Sequence, residues 1–379
     1  MVADLFGRED LSGLAQSSQV FGSALLAVPA TALAVSYGRR IGLGVGYGLG
    51  ALGAALTVVA TQHHLLSLVF VGIALIGGAT AAGLQARYAA TDLATHATRG
   101  RMLSVVVWST TVGAVIGPNL AAAAGDVARR IGVEPLAGPF LLSAIVMSIG
   151  ALIIIFGLRP DPLITARQLG SDMAQRRHGV LRAGWTAIAG APPALLGLAA
   201  VATAHTVMMM VMTMTPVHMA HGGASISIIG FVISVHIAGM YAFSPVMGWL
   251  TDRLGRIPVI LGAVVILLAA VTLAGTAREG HSLTLTAGLF LLGLGWSASI
   301  VAGSTLLTDV VEPSDRPVAQ GAADLIMGLV AAGGSAFAGV VVRAYGYGVL
   351  NVAAAVLLTI PLTIMVIPAC RSISNIRSA

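Results

Sequence analysis

The 379-residue chain is 57% hydrophobic and 9% charged, with a mean hydropathy of +0.95. That balance excludes a soluble globular enzyme, because most of the chain must find its solvent in lipid. The formal net charge of +6 comes from twenty arginines against 14 acidic residues, and Cys370 is the single cysteine, which excludes an internal disulfide or a cysteine zinc site.

Lipid offers backbone N–H and C=O groups no partners, so a crossing segment is a helix of about 20 apolar residues. In chain order such segments are predicted at 17–35, 41–60, 66–86, 102–124, 139–157, 194–214, 226–250, 257–275, 283–307, 318–342 and 349–369. They are continuous blocks rather than short alternating strands, which argues against a β-barrel. Asp324 is the one formal charge inside them. A centrally placed Asp costs about 2.5–3.5 kcal/mol on insertion scales, a cost reduced near a helix start, so structural anchoring and ion coupling are both open for it.

Arginine placement gives the orientation. With the C-terminus cytoplasmic, fifteen arginines fall in inside connections, among them Arg39, Arg40, Arg87, Arg159, Arg176, Arg177, Arg253, Arg256, Arg371 and Arg377. Five are left outside: Arg8, Arg129, Arg130, Arg278 and Arg343. The positive-inside rule therefore predicts a multi-pass protein of the cell (plasma or inner) membrane with a cytoplasmic C-terminus. The basic balance needs no nucleic acid.

A shift of 217 residues aligns the chain with itself, pairing Gly22 with Gly239, Gly38 with Gly255, Arg39 with Arg256, Gly78 with Gly295, Asp92 with Asp309 and Arg99 with Arg316. The expected organisation is an N-terminal half over 1–158 with five spans, a central cytoplasmic linker over 159–193 and a C-terminal half over 194–379 with six. Span 194–214 shifted back by 217 falls before Met1. The first helix of the N-terminal half is thus expected to be missing, and a coding start assigned too far downstream is favoured over a truncated homologue. Two parallel halves around a path are a transporter plan, and no cofactor is expected.

The stretch Gly248-Trp249-Leu250-Thr251-Asp252-Arg253-Leu254-Gly255-Arg256 resembles the signature loop of the major facilitator superfamily, G-x-L-x-D-R-x-G-R. The first-half loop keeps Gly38, Arg39 and Arg40 but has Val35 where the Asp stands in the pattern. The resemblance implies the all-α integral-membrane fold of that superfamily: two pseudo-repeated bundles, here with 11 predicted transmembrane helices. It also implies a monomeric secondary transporter of a small solute. Carried over, Asp252, Arg253, Gly255 and Arg256, with Arg39 and Arg40, form latch loops whose acidic partners are Asp309 and Asp92. A purely structural role for these charges carries equal weight. Gly113-x-x-x-Gly117-Pro118 resembles the start of a drug–proton antiporter motif without its glycine ending, and such glycines also serve close helix packing.

The most unusual composition is Met208-Met209-Met210-Val211-Met212-Thr213-Met214-Thr215-Pro216, followed by His236 and Met240 in the next helix. Residues four apart share a helix face, so Met208 with Met212, and His236 with Met240, each present a two-ligand edge suited to Cu(I). Met210 and Met214 form a rival pair. M-x-x-x-M followed by H-x-x-x-M resembles the CcoA-like copper importers of the superfamily, which implies copper uptake through Met208, Met212, His236 and Met240; relatives with the same motifs carry riboflavin. A flexible apolar lining is the bland reading of the methionines, and an ionisable residue at mid-span argues against it. His205, His218 and His221 are expected to be hydrated or helix-end residues. The alternatives are a carrier of a small organic solute, riboflavin or a drug, and a non-transporting degenerate homologue.

Overall fold

The computed structural model describes residues 12–169, 180–277 and 283–365. Arg8, Arg176, Arg177, Arg278, Cys370, Arg371 and Arg377 lie outside the described residues.

The described chain is helical, with no strand, as backbone in hydrocarbon requires. The helices are α1 (Ser12–Tyr37), α2 (Arg39–Gln62), α3 (Leu66–Ala89), α4 (Arg99–Arg130), α5 (Gly138–Gly157), α6 (Pro162–Leu169), α7 (Val180–Ala189), α8 (Pro192–His221), α9 (Ile226–Tyr241), α10 (Ser244–Leu254), α11 (Arg256–Thr276), α12 (Leu283–Val310), α13 (Arg316–Leu357) and α14 (Thr359–Met365). Among the described residues nine stretches are long and apolar enough to cross a membrane. The last, Arg316–Ile364, has 49 residues and is broken by Gly346 at φ 85°, ψ 170°, a backbone conformation open to glycine. It therefore holds two crossing lengths. α4, with 32 residues, is long enough to cross but is not among these nine.

One span differs from expectation in its interior. The segment 226–250 is not one rod: α9 ends at Tyr241 and α10 starts at Ser244 with Pro245 in its first turn, where a missing N–H costs least. Within 159–193 the described residues include α6 and α7.

The chain divides into two compact units. One comprises residues up to Leu93 with Gly113–Gly184, the other Ala94–Val112 with residues from Trp185 onward. The first part of α4 thus belongs with the second unit, and the rest of that helix with the first.

The 217-residue register is visible within each unit. Gly38 and Gly255 each separate two helices at φ 93° and φ 97°, a left-handed turn that a side chain would strain. In the first unit a Cβ at Gly78 would lie 3.2 Å from the Gly46 carbonyl oxygen; in the second, a Cβ at Gly295 would lie 3.2 Å from that of Ala263. Positions 46 and 263 are again 217 apart. The same glycine-mediated approach packs α2 on α3 and α11 on α12.

Candidate functional site

In the first unit the Arg39 guanidinium grips Asp92 through two bonds, Nε to Oδ2 at 2.8 Å and Nη2 to Oδ1 at 3.1 Å. The two side chains are 1% and 6% exposed. A planar fork meeting a carboxylate in this way is strong and directional. In the second unit the counterpart Arg256 donates from Nε to Asp309 Oδ2 at 2.7 Å. Asp309 also receives Arg99 on its other oxygen and lies 3.2 Å from the exposed His96 Nε2. Arg256 further donates to the backbone carbonyl of His96 at 2.7 Å.

Asp252 has a different task. Its Oδ1 and Oδ2 accept the backbone N–H groups of Gly100 and Arg101, each at 2.9 Å, and Arg101 Nε lies 3.5 Å away. It caps the start of α4, where unpaired N–H groups and the helix dipole favour an anion. Small residues make room for this. A Cβ on Gly100 would lie 3.0 Å from the Gly248 carbonyl, and Ser244 Oγ donates to the Ser104 carbonyl at 3.1 Å. Arg253 lies over the Trp249 ring at 5.1 Å.

The loop without an Asp is built another way. Asp161 Oδ2 accepts the Arg40 backbone N–H at 2.7 Å, and its Oδ1 accepts Leu163 and Ile164 N–H at 3.0 and 3.1 Å. One carboxylate therefore caps both α2 and α6. Arg167, on α6, donates from Nη1 to the Val35 carbonyl at 2.9 Å. Asp161 is not among the residues that the sequence motifs mark; the one signal for it is its place just before Pro162 at a helix start.

The methionines of α8 point in two directions. Met210 is 2% exposed and Met214 half-buried. A Cβ at Gly334 of α13 would lie 3.1 Å from Met210 Cγ, and one at Gly339 lies 3.9 Å from Met214 Cε. This pair packs on α13. Met208, 6% exposed, and the half-buried Met212 share the opposite face with His205, since positions three, four and seven apart stack on one side. His205 Nδ1 accepts from Trp296 Nε1 of α12 at 3.0 Å, and Tyr241 meets Trp296 edge-on at 5.7 Å.

His236 is 2% exposed, and its Nδ1 lies 2.8 Å from the Leu289 carbonyl oxygen. A carbonyl only accepts, so Nδ1 carries the proton and Nε2 keeps its lone pair. Nε2 is buried without a hydrogen-bond partner among the described residues. Met240, 7% exposed, follows one turn later. At 1.5 Å per residue, Met208 and Met212 lie about 4.5 and about 10.5 Å along α8 from the His205–Trp296 bond. Leu289 and Gly293, against which His236 packs, lie about as far from Trp296 along α12. The four residues thus occupy one level of the second unit.

His205 stands at mid-span, half-buried and bonded to Trp296, rather than at a helix end. His218 lies in the last turn of α8, as expected, and is buried there at 8% exposure, stacked on Tyr347 at 4.2 Å. Asp324 is 4% exposed on α13, one turn beyond Gln320, which donates to Thr308 Oγ1 at 3.2 Å. No group of three or more His, Cys, Asp or Glu side chains able to hold a metal occurs among the described residues. A Cβ at Gly113 or Gly117 would meet no described atom within 4 Å.

The family model for the Major Facilitator Superfamily matches this chain twice, over residues 1–225 and 198–370. The uncharacterized MFS-type transporter YddS of Bacillus subtilis (strain 168) is 37% identical over 369 residues, 96% of this chain and 84% of that protein. The riboflavin transporter RfnT of Brucella anthropi is 32% identical over 335 residues, 87% of this chain and 79% of that protein. Among solved structures, the human organic anion transporter MFSD10 superposes with a TM-score of 0.73 at 17% identity, covering 93% of this chain and 83% of that one. The E. coli fucose:proton symporter FucP does so at 0.65 and 16%, covering 96% and 92%. Signature loop, repeat and fold converge with these likenesses: the chain belongs to the Major Facilitator Superfamily.

Proposed function

We propose that this protein is a secondary active carrier of a small organic solute, with riboflavin as the first substrate to test, working by alternating access in the plasma membrane with its C-terminus in the cytoplasm. The observation that carries the reading is the face of α8 on which Met208, Met212 and His205 stand together, joined to Trp296 and Tyr241. Thioether and aromatic surface suits a planar apolar solute, and methionine adapts to irregular shapes. The likeness to RfnT supports riboflavin as the solute. Asp324, buried in the same unit, is assigned the ion-coupling role.

The test is uptake of radiolabelled riboflavin by riboflavin-auxotrophic cells expressing this chain. Growth on limiting riboflavin and saturable uptake are expected, and both should fall with Met208→Leu plus Met212→Leu at matched expression. Uptake no greater than in cells with empty vector would overturn the riboflavin assignment.

One observation favours copper as the substrate instead. His236 is oriented by a backbone carbonyl and offers a buried Nε2 lone pair, the arrangement that metal-ligating histidines use. On this reading Met208, Met212, His236 and Met240 bind Cu(I) in transit. Copper uptake equal in wild type and the Met208→Leu, Met212→Leu variant sinks it.

A further inference from the structure

His205, Tyr241 and Trp296 come from three helices and sit at the same depth. Counted from Pro192, Ile228 and Leu283, each is the fourteenth residue of an apolar stretch of 30, 27 or 28 residues. Substrate sites of secondary transporters lie near the bilayer midplane. An imidazole at that depth is costly and demands a reason.

The geometry holds the rings at defined angles. Trp296 Nε1 donates to His205 Nδ1 at 3.0 Å with the rings tilted by 42°, and Tyr241 stands against the indole at 80°. An indole N–H only donates, so His205 Nδ1 accepts, and a neutral ring then carries its proton on Nε2. Trp296 is 4% exposed, whereas His205 and Tyr241 are half-buried. In α8 and α12, which carry His205 and Trp296, 72% and 78% of the most apolar stretch is buried, against 28% in the Ile228–Leu254 stretch that carries Tyr241. His205, at the middle of an enclosed helix, keeps accessible surface with which to meet a solute. Among the described residues nothing hydrogen-bonds the Tyr241 hydroxyl, which is free to meet a polar edge.

We propose that His205 and Tyr241, set in place by Trp296, form the subsite that receives the planar heteroaromatic ring of the solute. The rings stack on its faces and the Tyr241 hydroxyl meets its polar rim. Met208 and Met212 continue the same face of α8 and take the apolar remainder. This deepens the organic-solute reading and rests on it. Trp296 is a positioning residue, since it acts through the orientation of His205.

The experiment measures riboflavin uptake kinetics in proteoliposomes for wild type, His205→Leu, Tyr241→Leu, Tyr241→Phe and Trp296→Phe. Loss of one stacking ring is worth about tenfold in affinity. His205→Leu and Tyr241→Leu should therefore raise KM about tenfold while kcat stays within about threefold, and Tyr241→Phe should recover most of the stacking loss. Trp296→Phe keeps a ring but removes the N–H, so KM should rise by a smaller factor. A second measurement avoids dependence on the leucine variants folding: with Trp108, Trp185 and Trp249 replaced by Phe, riboflavin should quench Trp296 emission saturably. KM values for His205→Leu and Tyr241→Leu within twofold of wild type, in a protein that still carries riboflavin, overturn the subsite and leave the carrier reading standing. Riboflavin neither carried nor quenching Trp296 in folded wild-type protein overturns both.

Discussion

Arg256 donates to Asp309 at 2.7 Å in the second unit, and 217 residues earlier Arg39 holds Asp92 at 2.8 Å in the first. The two aspartates are equally buried, at 6% exposure each, yet Asp309 also receives Arg99 and lies 3.2 Å from His96 Nε2. Removing one member of a buried pair strands the other charge, typically at about 3–5 kcal/mol. Asp309→Asn strands two arginines and Asp92→Asn one. Thermal unfolding in detergent, followed by circular dichroism, should therefore show the larger fall for Asp309→Asn. Equal midpoints for the two variants would show that Arg99 contributes nothing to the site.

Asp252 differs from both, because its main partners are backbone N–H groups at the start of α4. A side-chain amide still accepts one of those N–H groups through its oxygen, whereas a methyl accepts neither. Replacing a capping Asp by Ala costs about 1 kcal/mol. Asp252→Asn should thus unfold between wild type and Asp252→Ala, and the wild-type advantage over Asp252→Asn should shrink in high salt, where the contribution of the exposed Arg101 is screened. An Asn variant as unstable as the Ala variant would mean that charge, not capping, is what Asp252 supplies.

The equivalence of positions 92 and 309 is readable in the sequence because charged residues are scarce in an apolar chain and their spacing stands out. The crossing lengths are readable for the same reason: backbone in lipid leaves few choices. Asp161 is harder to see. Its main partner across the fold, the Arg40 N–H, is 121 residues away, and the approach depends on the left-handed turn at Gly38. Nor does composition reveal that His205 meets Trp296 91 residues on. Helical period alone leaves open which methionine pair faces which neighbour, and Gly334 and Gly339 on α13 separate them.

Gly38 and Asp161 should prove coupled. Gly38 has φ 93°, and a Cβ there would run into the Asp161 carboxylate. Gly38→Ala therefore meets backbone strain of about 1–2 kcal/mol plus displacement of a carboxylate that caps two helices. Asp161→Ala removes the caps but also the obstruction. The double variant should accordingly be less destabilised than the sum of the two single variants, a departure from additivity expected of groups in contact. Strict additivity in chemical or thermal unfolding would place the two effects in separate structures.

The two methionine pairs of α8 should separate stability from substrate affinity. Met210 is almost fully buried and, with Met214, faces α13 near Gly334 and Gly339. Leucine is close to methionine in volume, so Met210→Leu should cost less than about 1.5 kcal/mol and leave the KM for transport unchanged. Gly334→Val adds bulk where even a Cβ would lie 2.6 Å from Thr206 Cγ2 and 3.1 Å from Met210 Cγ. It should destabilise the protein by about 1–3 kcal/mol. Met208→Leu and Met212→Leu act on the face shared with His205. They should change KM with little effect on unfolding, because a stiffer branched side chain fits a varied solute surface less well. Measured side by side, a KM change from Met210→Leu and none from Met208→Leu would move the solute to the α13 side of α8.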